Sequence, residues 1–341
     1  MFRKALYFLG PAQVEVREEP LPRPGPEQVL VKTMVSAISP GTELLIYRNE
    51  FPPEVPVDAT IPALAGSFRY PLKYGYAAVG EVVEVGSQIA GEWLGRLIFA
   101  FHPHESHFVA YPEELLPLPR GMSPEVAALL PNMETAVTLM LDGAPLLGEQ
   151  VVVFGQGIVG LLLTALLAKM PLTSLVTLDP LAHRRSASLS LGAHHSLDPR
   201  EAQLPANLLS LLRDSRFYAG ADLTYEVSGQ PSALDQAIAI AGYHSRIVVG
   251  SWYGRKKAAL NLGGVFHRSR IRLVSSQVSS IAPELTGRWP KPRLLNCAWR
   301  LLQESNLKLL ITHTFNLAEA ASAYDMLDKN PQQAIQVILQ Y

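Results

Sequence analysis

The period of hydrophobic and polar positions changes along the chain, and the changes mark its organisation. Near the start Val29, Val31, Thr33 and Val35 recur at every second position, which predicts a half-buried β-strand. Gly80 to Val85 reads as another strand and the opening run MFRKALYFLG as the first. Between them stand the turn formers Pro20, Pro22, Pro24, Gly25, Pro40 and Gly41. Together these predict a β-rich, barrel-like region with long loops. From about Met133 strand-like runs at 151–155, 174–179, 221–227, 246–250 and 271–276 alternate with helical stretches. That alternation predicts βαβ units and a parallel sheet covered on both faces. In the tail Leu294, Leu295, Ala298, Leu301 and Leu302 fall at helical spacing, and Asn316 with Glu319 predicts a capped helix through Met326. Ile335, Val337 and Leu339 share one face of a closing strand. The expected fold is α/β in two domains: a β-rich domain from residues 1–132 plus 276–341, interrupted by a doubly wound domain at 133–275.

Composition narrows the classes. The 341 residues are 48% apolar, which is ample for a core and too apolar for disorder. Lys+Arg 29 against Asp+Glu 30 leaves a net charge of -1 with no basic cluster, so neither nucleic acid nor an anionic membrane is an expected partner. The single cysteine, Cys297, cannot form an intramolecular disulfide or a cysteine-rich zinc site, and the cytoplasm is the expected compartment. Cys297 itself reads as a small buried hydrophobe on the tail helix. The segment from Val151 to Ala168 is uncharged and just long enough to span a bilayer. Gly155, Gln156, Gly157 and Gly160 interrupt it, so no membrane span is expected.

That same segment carries the strongest chemical signal. Val151-Val-Val-Phe-Gly155-Gln-Gly157-Ile-Val-Gly160 is an apolar strand entering G-x-G-x-x-G, followed by an apolar helix from Leu161 to Ala168. The order suits a pyrophosphate: Gly155 for the tight turn, Gly157 for close backbone approach, Gly160 for helix–strand packing, and a helix N-terminus for the anion. Asp179 ends the next strand about twenty residues later, where a carboxylate can accept from both adenosine ribose hydroxyls. Its charge opposes a 2′-phosphate and favours NAD, while Arg184 and Arg185 close behind can pair with one and keep NADP in view. The plainer alternative is that Asp179 caps a turn before Pro180.

Seven stretches together resemble the medium-chain dehydrogenases and reductases: S-x-I-x-P-G-T-E at 36–43, Y-G-Y-A-A-V-G-E-V-V-E-V-G at 74–86, the glycine fingerprint, D-x4-R-R at 179–185, L-G-A at 191–193, E-V-S-G at 226–229 and I-T-H at 311–313. In that superfamily a GroES-like catalytic domain is interrupted by a Rossmann domain. The resemblance implies an NAD(P)-dependent oxidoreductase acting on a small molecule, as a homodimer. It also implies that Val159 backs the nicotinamide, Thr135 touches it, Val249 to Ser251 hold its carboxamide and Arg184 lies on the adenosine ribose. The zinc-dependent members carry C-G-T-D and G-H-E. Here the matching residues are Pro40-Gly41-Thr42-Glu43 and Gly75-Tyr76-Ala77, the third ligand position falls near Pro131, and the four-cysteine structural lobe is missing. Neither catalytic nor structural zinc is expected, because proline and alanine offer no ligand atom and tyrosine is a poor one. The pattern looks most like the zinc-free branch that includes bacteriochlorophyllide dehydrogenase, although Ala77 stands where that group tends to have an acid.

Without zinc, hydrogen-bond donors must meet the charge that develops on the substrate oxygen. By the resemblance Thr42 occupies the relay hydroxyl position, with Leu45 in place of the downstream histidine. Tyr76 would point its phenol where the metal-binding histidine lies, and Glu43 would order the site from behind. Phe51 and Phe101 would line the substrate pocket, which places His102 and His104 near its mouth as acid–base or hydrogen-bonding groups. For His102, His104 and His107 the alternatives are a solvated loop and a metal site, and for Tyr76 a packed ring filling the zinc cavity. Two reactions stay open, alcohol–carbonyl interconversion and reduction of an activated double bond as in zinc-free quinone and enoyl reductases. A dinucleotide-binding redox sensor without turnover is the third reading.

Overall fold

The computed structural model describes all residues except 53, 59, 203, 213–218 and 305–306, and the side chain of residue 205. The chain folds into two units, Met1–Pro131 with Trp299–Tyr341, and Asn132–Ala298. The first unit begins with strands β1 (Phe2–Gly10), β2 (Gln13–Pro20) and β3 (Val29–Ala37) and helix α1 (Pro40–Tyr47). Strands β4 (Ala78–Val85), β5 (Leu97–Ala100), β6 (His107–Ala110) and β7 (Leu115–Pro117) and helix α2 (Pro124–Ala127) follow. Helix α3 (Leu130–Gly143) leads into β8 (Gln150–Phe154), α4 (Ile158–Leu167), β9 (Ser174–Leu178), α5 (Ala182–Ser190), β10 (His195–Leu197), α6 (Leu204–Leu211), β11 (Ala221–Glu226), α7 (Pro231–Ala239), β12 (Ala241–Val249) and β13 (Arg272–Ser275). The chain closes with α8 (Lys291–Gln303), β14 (Ile311–Asn316), α9 (Ala320–Lys329) and β15 (Gln336–Gln340).

In the first unit, among the described residues, one sheet runs β14-β15-β3-β4-β5-β7 with β6 also on β3, beside the hairpin β1-β2. Strand β3 buries Val29, Val31, Thr33 and Val35 and exposes Lys32 and Met34, so the two-residue period is a real inside–outside alternation. Val29, Val31, Val82, Ile98 and Phe108 fill one core. A second, aromatic core gathers Phe8, Tyr47, Phe51, Phe68, Tyr74 and Tyr324, with Tyr76 packed at its margin. Strand β15 returns from the far end of the sequence to pair antiparallel with β3, setting Leu339 opposite Ser36. Asn316 and Glu319 form the expected capping box ahead of α9.

The second unit is a parallel sheet in the order β10-β9-β8-β11-β12-β13. Strands β8 and β9 are buried at every position, which is why their sequences are mostly apolar and show no inside–outside alternation, with Gln150, Ser174 and Thr177 as buried polar exceptions. The apolar segment from Val151 to Ala168 divides into β8, a glycine turn and α4, and among the described residues no helix is long and apolar enough to cross a membrane. The chain leaves this unit at 298, later than the expected 275. Ser276 N–H donates to Val249 O at 2.9 Å and Lys291 pairs with Glu134, so the segment beyond β13 stays tied to the sheet and to α3. Cys297 lies half-buried on α8, more open than expected.

Candidate functional site

In the second unit β8 and β11 are neighbours at the point where the strand order reverses, the usual place for a crevice at the carboxyl ends of such strands. Gly155 follows β8 with φ +94°, and a Cβ there would lie 2.6 Å from Ser228 Cα, so the turn admits only glycine. A Cβ on Gly160 would lie 2.0 Å from Gly155 O. Gly157 differs. It is the N-cap of α4 with φ -69°, and its Cβ would meet nothing nearer than Arg184 Nη1 at 4.0 Å. Two glycines therefore serve the fold, and the third leaves an open cradle at a helix N-terminus beside a guanidinium, which fits a pyrophosphate.

Asp179 is 3% exposed, and both its oxygens are engaged. Oδ2 accepts from Gln156 N at 2.8 Å and Oδ1 from Leu181 N at 2.9 Å. The carboxylate thus braces the glycine turn and caps its own turn, with lone pairs remaining for a ribose. Arg184 Nη1 lies 3.9 Å from Asp179 Oδ2, while Arg185 is turned to Asp198 at 3.3 Å and to Asp179 O. Gln156 is fully buried, donating to Gly155 O and accepting from Thr164 Oγ1, a brace that reading the motif as glycines alone does not reveal. Val159 and Thr135 are half-buried near the starts of α4 and α3, and Val249 is partly buried at the end of β12. Ser251 Oγ accepts from Gly229 N at 2.8 Å. Glu226, fully buried, accepts from Ser228 and Tyr253 and so anchors the E-V-S-G turn facing Gly155.

In the first unit Ser39 stands at the N-cap of α1 with Pro40 at its first position. Its side chain makes no cap; it accepts from Tyr76 Oη at 2.5 Å. Tyr76 Oη also lies 3.3 Å from Thr42 Oγ1. Burial pushes the phenol up to about 12, so it stays protonated and available as a donor across the neutral range. The ring is held edge-on to Tyr74, with centroids 6.0 Å apart. Pro40 and Pro131 offer no ligand atom, and among the described residues no group of three or more histidine, cysteine or carboxylate side chains is placed to hold a metal ion.

The histidine-rich stretch corrects two expectations. His104 is fully buried, so the solvated-loop alternative does not hold for it. Its Nδ1 lies 2.7 Å from Ser36 Oγ and its Nε2 3.1 Å from Glu43 Oε2, leaving no ring nitrogen for a substrate. Its backbone is clamped as well, with Leu6 N–H donating to His104 O and His104 N–H to Tyr74 O. His102 stacks on Phe108 at 3.9 Å, and burial pushes it down to about 3, so it is neutral and unsuited to acid catalysis. His107 begins β6 instead of joining the other two. Phe51 is 2% exposed and stacked on Phe68 at 4.3 Å, as part of the aromatic core. Phe101 packs edge-on to Phe99 at 5.0 Å. Ser39, Ser36, Tyr324 and Tyr341 complete the polar cluster. Ser36 opens the motif at 36–43 and Ser39 is a serine before proline at a helix start, whereas Tyr324 and Tyr341 carried no sequence signal.

No protein-family model matches the chain. D-guloside 3-dehydrogenase of Escherichia coli K12 is 24% identical over 330 residues, covering 91% of this chain and 92% of that protein. Among solved structures, an alcohol dehydrogenase of Escherichia coli CFT073 complexed with NADH superposes with a TM-score of 0.79 at 17% identity, covering 100% of this chain and 99% of that one. A protein of Sinorhizobium meliloti 1021 assigned as a zinc-binding dehydrogenase and bound to NADP gives 0.78 at 18% identity, covering 100% of both chains.

Proposed function

We propose, because the chain belongs to the medium-chain dehydrogenase/reductase superfamily, that it is an NAD(P)-dependent oxidoreductase which interconverts an alcohol and a carbonyl without zinc. The observation that carries the zinc-free part is the Tyr76 phenol, protonated and seated between the hydroxyls of Ser39 and Thr42; by the resemblance, the other two metal positions fall at Pro40 and near Pro131, which offer no ligand atom. At least two matched structures are assigned as zinc-binding dehydrogenases, so the zinc-free reading rests on the donor set of this chain and does not extend to the superfamily at large. Gly157, Val159, the α4 N-terminus, Asp179 and Arg184 would hold the dinucleotide, with Thr135, Val249 and Ser251 toward the nicotinamide. When bound, the nicotinamide supplies or accepts the hydride. Tyr76 donates its hydrogen bond to the substrate oxygen as charge develops there. The Ser39 and Thr42 hydroxyls, which can accept or donate, turn to donate to the phenol oxygen as its proton moves toward substrate. In alcohol oxidation the same protons travel back. Asp179 favours NAD(H), since a 2′-phosphate would face its carboxylate. A homodimer in the cytoplasm completes the proposal.

The test combines metal analysis with turnover. Purified protein is assayed for zinc, then for NAD(P)-linked activity on secondary alcohols, aldehydes, enals and quinones, before and after dialysis against a chelator. Substoichiometric zinc with chelator-resistant alcohol or aldehyde turnover is expected. Stoichiometric zinc, or activity lost on chelation and restored by the metal, would sink the zinc-free reading. Turnover confined to enals or quinones would replace alcohol chemistry by double-bond reduction, and tight cofactor binding without any turnover would favour the sensor.

A further inference from the structure

A chain of buried polar side chains adjoins Tyr76 and takes no part in the chemistry just described. Tyr341 Oη lies 2.8 Å from Ser36 Oγ, Ser36 Oγ 2.7 Å from His104 Nδ1, and His104 Nε2 3.1 Å from Glu43 Oε2, which also accepts from Tyr324. Ser36, His104, Glu43 and Tyr324 are all 0% exposed. A carboxylate only accepts, so His104 donates to Glu43 from Nε2. With the imidazole neutral, its Nδ1 accepts from Ser36 and Ser36 in turn accepts from Tyr341. Every polar atom along it then has a partner, which suits a buried network whose work is to hold a geometry.

Three contacts link this network to Tyr76. Gly75, with φ +121°, lies so close to the imidazole that a Cβ there would be 2.7 Å from both Cδ2 and Nε2. Glu43 Oε1 accepts the Ser39 N–H at 2.8 Å, and Ser39 is the residue that takes the Tyr76 hydrogen bond. Thr42, the second partner of the phenol, immediately precedes Glu43 on α1. The backbone that carries the Tyr76 ring and the hydroxyls that hold its oxygen thus both rest on the His104–Glu43 pair. We propose that His104 is a positioning residue for Tyr76: joined to Glu43 and Ser36, it locks the start of α1 against the Gly75–Tyr76 turn and fixes where the phenol points. This rests on the reading of Tyr76 as the donor to substrate. A displacement of the phenol by about 1 Å is enough to lower turnover on the order of 10²-fold.

The test has one arm that needs no substrate. In protein labelled with ring-13C tyrosine, the Tyr76 signal is assigned by its loss in Y76F. His104→Leu should move that signal, His104→Gln, which keeps an N–H for Glu43, should return it toward its parental position, and His195→Gln at an exposed histidine should leave it in place. In the second arm, with the best alcohol from the panel above, H104L should lower kcat on the order of 10²-fold while cofactor affinity holds. In a Y76F background it should add almost nothing. If H104L does not fold, Tyr324→Phe removes one donor from Glu43 and gives the same two comparisons. A Tyr76 signal unmoved by H104L, or a full second loss of turnover in the double variant, would overturn the proposal. Parental turnover in Y76F would overturn the donor reading alone, with the labelled-tyrosine arm still deciding whether His104 positions the ring.

Discussion

Gly157 and Gly160 belong to one motif, yet alanine at the two positions should do opposite things. At Gly160 a Cβ meets the Gly155 carbonyl oxygen at 2.0 Å, and backbone cannot swing aside as a side chain can. Relief to ordinary contact requires about 1 Å or more of main-chain movement, an overpacking cost of about 1–3 kcal/mol. Alanine's better helix propensity returns only about 1 kcal/mol of that. At Gly157 the φ of -69° accepts any residue and the space is open to 4.0 Å. The loss there is confined to the weaker N-cap preference of alanine, under about 1 kcal/mol. The Cβ nevertheless occupies the cradle through which backbone would approach the pyrophosphate. Losing one hydrogen bond to a charged group costs about 1.5–3 kcal/mol, so NADH should bind roughly 10- to 150-fold more weakly. Thermal unfolding without cofactor and NADH fluorescence titration separate the two effects. G160A should lower stability, and G157A should keep stability within about 1 kcal/mol while losing affinity. A G157A protein that binds NADH as tightly as the parent would refute the placing of the pyrophosphate at this helix start.

Tyr76→Phe removes the proposed donor and should lower kcat on the order of 10²–10³-fold with little change in NADH affinity, as read by steady-state kinetics and titration. His102 has a folded-state pKa depressed to about 3 from 6.5, so its stabilising contribution is present above pH 6.5 and is lost as pH falls toward 3. Its share of the slope of unfolding free energy in that window is up to about 1.4 kcal/mol per pH unit, and His102→Phe, which retains the stack on Phe108, should flatten a denaturant titration run between those pH values. An unchanged slope would show that the imidazole is not buried. Asp179→Asn leaves either Gln156 N–H or Leu181 N–H facing an amide donor and removes the charge opposed to a 2′-phosphate. It should destabilise by about 1–3 kcal/mol and raise affinity for NADPH relative to NADH, both measurable in one set of melting curves with each cofactor.

The sequence by itself determined what local periodicity and local conformation can carry. Alternation along β3, the mostly apolar sequences of β8 and β9, the capping box before α9 and the tight contacts at Gly155 and Gly160 follow from neighbours a few positions apart, and each has its expected form in the structure. The absence of ligand atoms at Pro40 and Pro131 was legible in the same way, because it depends on residue type alone. Only the tertiary structure decided which polar groups meet. Ser36, Glu43, His104, Tyr324 and Tyr341 are scattered over 305 positions, from strand to helix to loop, and no period relates them. They converge because β15 pairs antiparallel with β3 in a register that brings Tyr341 to Ser36, while the hydrogen bonds of Leu6 and Tyr74 hold the His104 backbone between them. A histidine in a run of three looks like a solvated loop when only its neighbours are visible. Long-range pairing turned this one inward, and the cost of burying an imidazole without partners is what demanded a carboxylate on one nitrogen and a hydroxyl on the other.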